Sequence, residues 1–274
     1  MSHALLLLTA ALLLQAPAPN AVGVAPADTA AITQTLLDYA EGYYGGEPAR
    51  MTRALSPYLT KRELRPRPGA RPLLGEMNAD TLIEGSNGAK LAAEGRRITT
   101  EVFDAGAETA SARVFTAQFN DYVHLIKRDG AWRIVNVLWH APPAGIAQDS
   151  RAAVEEVVRA YAGALTGAAG DTAALLHPLA HLRTLAPGRQ GRPRIIVDQN
   201  ADAQLAALAR GAGRLPGTGA DSTVIVEGID ADIASARFRI GATTMYLHLA
   251  SEEGRWRVVN ALRYAAVFAP APGE

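Results

Sequence analysis

The fold of this chain is decided by one stretch of sequence, DYVHLIKRDGAWRIVNVLW, at residues 121–139. A related stretch, MYLHLASEEGRWRVVNALR, stands at residues 245–263, so that the histidine, the tryptophan and the asparagine return at an offset of 124 residues. Two shorter motifs also recur, Ser111-Ala112-Arg113 as Ser235-Ala236-Arg237 at an offset of 124 and Asn78-Ala79-Asp80 as Asn200-Ala201-Asp202 at an offset of 122. Repetition over most of each half indicates two copies of one domain.

The two copies are predicted to span residues 28–146 and 150–268 and to be joined near Pro142-Pro143-Ala144-Gly145. A chain of 274 residues has room for two domains of ordinary size. With 49% hydrophobic and 20% charged residues, each copy can bury a core, which excludes a disordered chain.

An apolar run from Ala4 to Leu14 precedes the first copy. It is too short for the ~20 residues of a membrane-spanning helix, and no membrane span is predicted. The run is typical of a secretory signal peptide, with the best cleavage site at Ala25-Pro26-Ala27. We therefore expect residues 1–27 to be removed and the protein to be exported, either periplasmic or secreted. No Lys or Arg precedes the run, so a start further upstream or a retained weak anchor stays open.

The charge balance and the absence of cysteine exclude several classes of function. The 27 basic and 27 acidic side chains cancel, which argues against a nucleic-acid partner, because a phosphate backbone requires clustered positive charge. The chain has no Cys, which excludes disulfides, iron–sulfur clusters, thiol nucleophiles and Cys-type zinc sites. Only three basic residues are lysines, Lys61, Lys90 and Lys127, so candidates for Schiff-base chemistry are few.

Sequence signals for a metal or a cofactor are weak. His177 and His181 have the spacing that can share a metal on a helix, but Pro178 interrupts that helix and no Glu stands between the histidines. The sequence contains no Gly-x-Ser-x-Gly motif, P-loop or dinucleotide fingerprint. We predict neither a metal nor a cofactor.

Each copy is predicted to begin with helices and to continue with strands. In the first copy, Asp28 or Thr29 caps a helix whose apolar stripe has the spacing of one helical face: Ile32, Leu36, Tyr39 and Tyr43. Further helices begin at Pro48 and Asn78, while Arg65–Pro72 is interpreted as a solvated connector. Four β-rich runs follow, around residues 96–104, 109–120, 121–128 and 131–139. The order predicts an α+β fold with helices on one face of an antiparallel sheet.

The register of the last hairpin follows from its turn. Asp129-Gly130 is a preferred type I′ dipeptide, which places Arg128 opposite Ala131 and, without a shift, fixes every pair further out. Strand alternation then puts Asp121 and Asn136 on the more apolar face as diagonal neighbours, and we assign that face to the helix-covered side. The opposite face carries three side chains with rings, Tyr122, His124 and Trp139.

The motifs of the first copy resemble those of a known family. Residues 121–125 and 130–139, together with residues 37–45 (LDYAEGYYG) and Lys61-Arg62, are similar to the putative lumazine-binding family of the nuclear transport factor 2-like superfamily. The resemblance implies an α+β fold of two tandem cone-shaped domains. Each cone would have three helices packed on a curved antiparallel sheet around an internal cavity, and function on such a fold depends on the cavity.

The second copy keeps the framework but departs from the motif. Met245 stands in place of Asp121, and Arg263 stands in place of Trp139. The second copy also has no basic match for Lys61 beyond Arg183. A ligand site is therefore expected in the first cone only.

Seven side chains of the first copy are candidates for ligand binding: Tyr39, Tyr43, Lys61, Arg62, Asp121, Asn136 and Trp139. On an apolar face, Asp121 would have a raised pKa and would anchor a ligand or act as a general base. Lys61 and Arg62 would close the cavity mouth on an anion, and Trp139 would stack on a planar molecule. The expected ligand is a small planar or anionic molecule.

Each candidate also has a purely structural interpretation. In that interpretation, backbone N–H groups satisfy Asp121, and Asn136, which has an equivalent in Asn260, makes a structural hydrogen bond. Tyr39 and Tyr43 would then be ordinary core residues. Lys61-Arg62 would belong to a solvated loop, and Trp139 would fill a contact between the domains. The sequence leaves these alternatives open.

A second set of side chains is predicted to lie between the two domains. Tyr-x-His recurs in both copies, as expected where two sheets dock about a pseudo-twofold axis and one patch serves both sides. We therefore expect an intramolecular pseudo-dimer with four residues at its contact: Tyr122, His124, Tyr246 and His248.

These observations favour an exported, non-catalytic protein that binds a small molecule in the first cone, with the second cone as a scaffold. One alternative is a cavity isomerase or dehydratase that uses Asp121 as general base and the hydroxyl of Tyr39 or Tyr43 as acid. The other alternative is a structural module that binds a partner, which filled cavities would favour.

Overall fold

The computed structural model describes residues 25–67, 70–86, 91–141, 150–187 and 194–265. The predicted leader, apart from its last three residues, and the predicted joint at residues 142–145 lie outside these ranges. Within the ranges, the chain forms two six-stranded sheets, each with its own helices and the same order of elements. The predicted α+β class with two cone-shaped domains is confirmed, while the domain boundaries stay predictions.

The first half contains four helices and six strands among the described residues. They are α1 (Pro26–Gly45), α2 (Pro48–Ala54), β1 (Leu55–Arg67), β2 (Ala70–Asn78), α3 (Ala79–Gly85), α4 (Ala93–Arg96), β3 (Thr99–Ala105), β4 (Thr109–Phe115), β5 (Asn120–Arg128) and β6 (Ala131–His140). The strand order is β2-β1-β6-β5-β4-β3. Strand β1 runs parallel to β6, and all other neighbours are antiparallel.

The second half repeats this arrangement. Its elements are α5 (Ser150–Thr166), α6 (Thr172–Leu175), β7 (Leu176–Ala186), β8 (Ile195–Asn200), α7 (Ala201–Ala209), a 3₁₀ turn (Gly219–Asp221), β9 (Thr223–Asp230), β10 (Ile233–Ile240), β11 (Thr243–Glu252) and β12 (Arg255–Tyr264). The strand order is β8-β7-β12-β11-β10-β9, which matches the first sheet position by position.

The first helix begins earlier than predicted. It begins at Pro26, and no side chain caps it, so the predicted cap at Asp28 or Thr29 is wrong. Proline suits a first helical position, because the N–H that it lacks would have no helical partner there. Asp28 instead accepts hydrogen bonds from Lys127 Nζ (2.7 Å) and Trp132 Nε1 (2.9 Å), which ties the start of α1 to the β5–β6 hairpin.

The recurrent Asn-Ala-Asp motif caps a helix in both halves, as predicted for Asn78. Oδ1 of Asn78 accepts from the backbone N–H of Thr81 at 2.9 Å, and Oδ1 of Asn200 accepts from Ala203 at 2.9 Å. Each side chain satisfies one of the N–H groups that the first turn of a helix leaves without a partner.

Two strands per sheet were missed by the sequence analysis. The connector predicted at Arg65–Pro72 overlaps the strands β1 and β2, which pair as a hairpin with Leu64 opposite Leu74 and Arg67 opposite Ala70. Strand β1 also carries Lys61 and Arg62, which therefore belong to a strand and not to a loop. Because successive strand residues point to opposite faces, these two side chains point away from each other.

The predicted hairpin register is correct only near the turn. Asp129 and Gly130 both have positive φ (52° and 78°), as a type I′ turn requires, and pairing follows the prediction as far as Leu125 opposite Ile134. A β-bulge at Val135 then shifts the register by one residue, so that His124 lies opposite Asn136, and all later side chains of β6 change face. The predicted faces of Asn136 and Trp139 are therefore both wrong.

Each sheet has an inner face under its own helices and an outer face that meets the other sheet. Buried apolar side chains from one half alone fill each cone. Two further clusters combine both halves, for example Tyr122 and Leu138 with Ile233 and Val259. The sheets thus pack face to face. No helix in the described part of the chain has the length and apolar character to span a membrane.

Candidate functional site

A buried ion pair lies inside the first cone. Lys61 Nζ on β1 is 2.8 Å from Oδ2 and 3.1 Å from Oδ1 of Asp121 on β5. The hydroxyl of Tyr39, on α1, donates to Asp121 Oδ2 at 2.6 Å and accepts from Lys61 Nζ at 2.7 Å. One helix and two strands therefore bring an amine, a carboxylate and a phenol into mutual contact, which we call the Lys61 cluster.

Burial governs the acid–base behaviour of the Lys61 cluster. The relative exposures are 4% for Lys61, 0% for Asp121 and 1% for Tyr39. Burial raises the pKa of Asp121 and lowers the pKa of Lys61, because each charged form loses its hydration, while the charge of the partner opposes both shifts. Burial and the neighbouring Asp121 carboxylate also raise the pKa of Tyr39, which keeps its hydroxyl protonated. The proton affinities of the amine and the carboxylate are thus brought closer together.

The Lys61 cluster borders a cavity with a volume of about 150 Å³. The cavity is lined by Tyr39, Tyr43, Lys61, Met77, Thr81, Leu82, Gly85, Gln118, Phe119 and Trp139. Asp121 is not part of this wall; it lies behind Lys61 and Tyr39, both of which bind it. The ammonium of Lys61 therefore separates the carboxylate from the cavity.

Aromatic rings surround the Lys61 ammonium. Nζ lies 4.7 Å from the ring centroid of Trp139, 4.9 Å from that of Phe119 and 5.4 Å from that of Tyr39. These distances allow attraction between the cation and the negative faces of the rings. Trp139 reaches this position because the bulge at Val135 turns it inward, opposite Asp121.

Two of the predicted ligand-binding residues point away from the cavity. Arg62 Nη1 donates to the carbonyl oxygen of Val259 and to Oδ1 of Asn260, both at 2.6 Å, and Arg62 also pairs with Glu76 at 3.0 Å. The prediction that Arg62 closes the cavity mouth is therefore wrong, because alternation along β1 sends its side chain to the second sheet.

Asn136 lies in the equivalent place between the sheets. Its Oδ1 accepts from Arg183 Nη1 at 2.7 Å, and its Nδ2 donates to His124 Nδ1 at 3.2 Å. Arg183 also donates to the carbonyl oxygen of Val135 at 2.7 Å. Arg183 of the second half thus binds the first half through the same two kinds of acceptor that Arg62 of the first half uses in the second. The placement of Asn136 in the cavity is wrong, since the bulge turns it outward.

The two Tyr-x-His motifs meet between the sheets. The rings of His124 and His248 stack with centroids 3.6 Å apart, and each Nδ1 accepts from the asparagine of its own half. Tyr246 donates its hydroxyl to Asp104 Oδ2 at 2.8 Å, whereas the hydroxyl of Tyr122 lies against Gly228. None of these four side chains reaches the wall of the first cavity.

The second cone lacks the Lys61 cluster. Leu182 pairs with Ala261 as Lys61 pairs with Val137, so leucine occupies the lysine position. Met245 lies opposite Arg263 where Asp121 lies opposite Trp139. The space lined by Tyr161, Leu182, Met245 and Arg263, among others, has a volume of only about 10 Å³.

A larger and more open groove, of about 440 Å³, lies beside the β5–β6 turn at the other end of the first cone. Its wall includes Asp80, Arg128, Asp129 and Arg133 at or near the surface, and none of the residues of the Lys61 cluster. We assign the candidate site to the smaller cavity, because there a buried charged group borders a wall of mostly apolar and aromatic side chains.

The part of the cavity wall that comes from β2, α3 and the turn before β5 was not predicted from the sequence. These residues are Met77, Thr81, Leu82, Gly85, Gln118 and Phe119. The Asn78 cap was a usable signal, because it fixes where α3 begins and thus places Thr81 and Gly85 one turn apart on the same side.

The two spaced histidines lie on a strand and not on a helix. His177 Nε2 contacts Glu252 Oε1 at 3.2 Å, and His181 Nδ1 contacts Asp198 at 3.0 Å, so the two side chains have separate carboxylate partners. Among the residues with described positions, no group of three or more His, Asp or Glu side chains is placed to hold a metal ion.

Comparison with known proteins gives a family match for the first half. Residues 27–140 match the family described as "Putative lumazine-binding". No curated protein matches the chain. Among solved structures, an NTF2-like protein of unknown function from Methylobacillus flagellatus KT is 24% identical, with 44% of this chain and 97% of that chain covered and a TM-score of 0.35.

Two further solved structures are similar to one half of the chain. An NTF2-like protein of unknown function from Shewanella baltica OS155 is 22% identical, with 43% of this chain and 96% of that chain covered and a TM-score of 0.37. A ketosteroid isomerase-like protein from Erwinia carotovora atroseptica is 14% identical, with 43% and 98% covered and a TM-score of 0.30.

Proposed function

We propose that the protein, whose residues 27–140 match the family described as "Putative lumazine-binding", is exported and binds one small, planar, uncharged molecule in its first cone without converting it to a product. The second cone is the scaffold of this arrangement. The observation that carries the proposal is that the Lys61 cluster borders a cavity of about 150 Å³, whereas the matching space in the second cone has about 10 Å³.

Charge balance favours an uncharged ligand over the anion considered from sequence. The ammonium of Lys61 is already neutralised by Asp121 at 2.8 Å, and Arg62 faces the second sheet. An anion in the cavity would add an uncompensated negative charge beside a buried ion pair and a mostly apolar wall, which is unfavourable unless the ligand brings its own proton. A neutral molecule with a carbonyl or a ring nitrogen avoids this penalty.

The shape and chemistry of the wall favour a planar molecule. Trp139, Phe119 and Tyr43 present aromatic rings, and Leu82 and Met77 complete the apolar lining. Aromatic walls hold flat rings by stacking and edge contacts, and a few polar groups orient the ligand. Gln118, Thr81, Tyr43 and the Lys61 cluster contribute polar groups to this cavity.

The position of Asp121 favours binding over turnover. Both of its carboxylate oxygens contact Lys61 Nζ, and Oδ2 also accepts from Tyr39, so the carboxylate is occupied and is shielded from the cavity. One observation favours the alternative of a cavity isomerase instead: the Tyr39 hydroxyl, as acid, lies 2.6 Å from the Asp121 carboxylate, as base.

Native mass spectrometry of the exported protein, purified without denaturation, tests the proposal. We expect the wild type to retain a small molecule and the Lys61→Leu/Asp121→Met double variant, which copies the second cone, to lose it. Met245→Leu in the second cone is the matched control and keeps the ligand. Retention by the double variant, or a wild type that binds nothing, contradicts the proposal.

Two further readouts address export and turnover. The amino terminus of the exported protein is expected at Asp28, and an unprocessed chain that stays in the cytoplasm contradicts export. The released ligand is then incubated with the purified protein and analysed by mass spectrometry and NMR. An unchanged ligand is the expected result, and a rearranged or dehydrated product would establish the isomerase or dehydratase alternative.

A further inference from the structure

The cavity of the first cone contains a buried primary amine. Lys61 Nζ contributes to the wall and makes its contacts with Asp121, Tyr39 and the surrounding rings. Lys127 is the other lysine in the described residues, and it pairs with Asp28 nearer the surface. The second half of the chain has no lysine at all. Lys61 thus places a primary amine in the first cavity, next to Asp121 as proton acceptor and Tyr39 as proton donor.

We propose that Lys61 captures the carbonyl carbon of a small conjugated aldehyde or ketone as an imine, so that this cavity holds its ligand by a reversible covalent bond. The inference rests on the proposed function, because the carbonyl compound must first enter the same cavity. It assigns to Lys61 a role as nucleophile, in contact with the ligand, and to Asp121 and Tyr39 roles in moving protons.

The geometry supplies the proton transfers that imine formation needs. A proton moves from Lys61 Nζ to Asp121 Oδ2 across 2.8 Å, which leaves a neutral amine and a carboxylic acid. The nitrogen lone pair attacks the carbonyl carbon, the electron pair of the C=O bond moves to oxygen, and one proton passes from nitrogen to that oxygen. The product of this step is a carbinolamine, beside a protonated Asp121.

The second half of the reaction returns the proton. Asp121 gives its proton to the oxygen of Tyr39, which lines the cavity, while the Tyr39 hydroxyl proton passes to the carbinolamine hydroxyl. The C–O bond breaks, and water leaves while the nitrogen lone pair forms the C=N bond. The products are a protonated imine, a carboxylate and one water, from an ammonium, a carboxylate and one carbonyl compound. No oxidant or reductant is required, and the net charge of the site does not change.

The surroundings stabilise the imine over the free amine. The positive nitrogen stays beside Asp121 and over the rings of Trp139 and Phe119, as the ammonium does. Burial already lowers the pKa of Lys61, which raises the share of the neutral nucleophile. A conjugated carbonyl compound is planar and uncharged, which meets the requirements of shape and charge derived for the ligand.

Reductive trapping tests the inference on the full exported chain. The protein is incubated with benzaldehyde and sodium cyanoborohydride, which converts an imine to a stable benzylamine, and the modified lysines are identified by peptide mass mapping. We expect labelling at Lys61 at least about tenfold faster than at Lys127. Lys61→Arg keeps a cation beside Asp121 but removes the nucleophile, so labelling in this variant falls to that of the other two lysines.

Benzyl alcohol separates failure of the inference from failure of the proposed function, because it has the same ring and no carbonyl group. Its binding is followed by ligand-observed NMR. Selective labelling of Lys61 supports the imine. Binding of benzyl alcohol with no faster labelling of Lys61 than of Lys127 overturns the imine and leaves the binding function intact. No binding of benzyl alcohol and no selective labelling count against both.

Discussion

The two cones share a framework and differ in what they bury. Both have the same strand order, the same asparagine cap and the same bulge in the last hairpin. Inside the first cone, Lys61 and Asp121 form a buried ion pair beside a cavity of about 150 Å³. At the equivalent positions the second cone has Leu182 and Met245, and its space shrinks to about 10 Å³.

This difference shows that the fold does not need the ion pair. A buried ion pair loses hydration on both sides, and its replacement by well-packed apolar residues is often neutral or stabilising. The second cone is such a replacement, present in the same molecule. Under the proposed function, the charged pair of the first cone serves the ligand and not the fold.

The largest expected effect comes from removing one charge of the pair. Asp121→Asn keeps the shape of the side chain but leaves Lys61 without a counter-charge in a buried site, and we expect the free energy of unfolding to fall by about 3–5 kcal/mol. Met245→Leu, the control in the second cone, is expected to cost less than about 1.5 kcal/mol. Urea unfolding of both variants measures the two values, and equal losses would break the comparison.

The next effect depends on pH and concerns a feature that both cones share. Burial lowers the pKa of His124 to about 3 and that of His248 well below 6.5. The unfolded chain takes up protons near pH 6.5 whereas the folded chain does not, so stability is full above pH 6.5 and falls as the pH decreases toward 3.

At pH 5 the loss is about 2 kcal/mol for His124 relative to pH 7, and the loss for His248 has the same sign. Replacing His248 by Gln is expected to remove the part of the loss that His248 causes. Unfolding free energies of wild type and variant at pH 7 and pH 5 give the difference directly. An unchanged pH dependence in the variant would mean that His248 is not the group that titrates.

A smaller and nearly symmetric effect is expected from the two arginines between the sheets. Arg62→Met and Arg183→Met each leave a buried carbonyl and an asparagine oxygen without a donor, at a cost of about 2–3 kcal/mol. Arg183 also donates to Thr60 Oγ1 at 2.7 Å, so its loss is expected to be greater by about 1 kcal/mol. Urea unfolding measures the free energy lost in each variant. A large loss for one arginine alone would show that the contacts are not reciprocal.

The smallest effect on stability is expected from exchanging the whole pair. Lys61→Leu/Asp121→Met gives the first cone the apolar residues of the second, and we expect a change of about 1 kcal/mol or a gain in stability. Ligand retention is lost in the same variant. A loss of more than about 3 kcal/mol, measured by urea unfolding, would mean that the ion pair has a structural role after all.

Much of the fold was predictable from local patterns. The recurrent motifs revealed the two copies, the apolar stripe of α1 placed Tyr39 on the buried face, and Asp129-Gly130 defined the turn. These signals lie within a few residues of each other in sequence. The physical constraints that they express, helix period and turn conformation, are themselves local.

The errors arose where structure depends on distant partners. Nothing in the alternation of β6 marks the bulge at Val135, which faces the second half of the chain, yet it decides the faces of Asn136 and Trp139. Strand β1 was obscured by Pro57 and Pro66, and it pairs with β6, far away in sequence. The contact of Lys61 with Asp121 spans sixty residues and could not be predicted without β1.

The reciprocal contacts of Arg62 and Arg183 have a consequence for mass action. If two identical separate chains formed a dimer through this surface, the dimer would dissociate on dilution. Every substitution would then also be present in both subunits. Here both sides belong to one polypeptide, so their association does not depend on protein concentration. Each side can also change alone, so the first cone can have a lysine at the position where the second cone has a leucine.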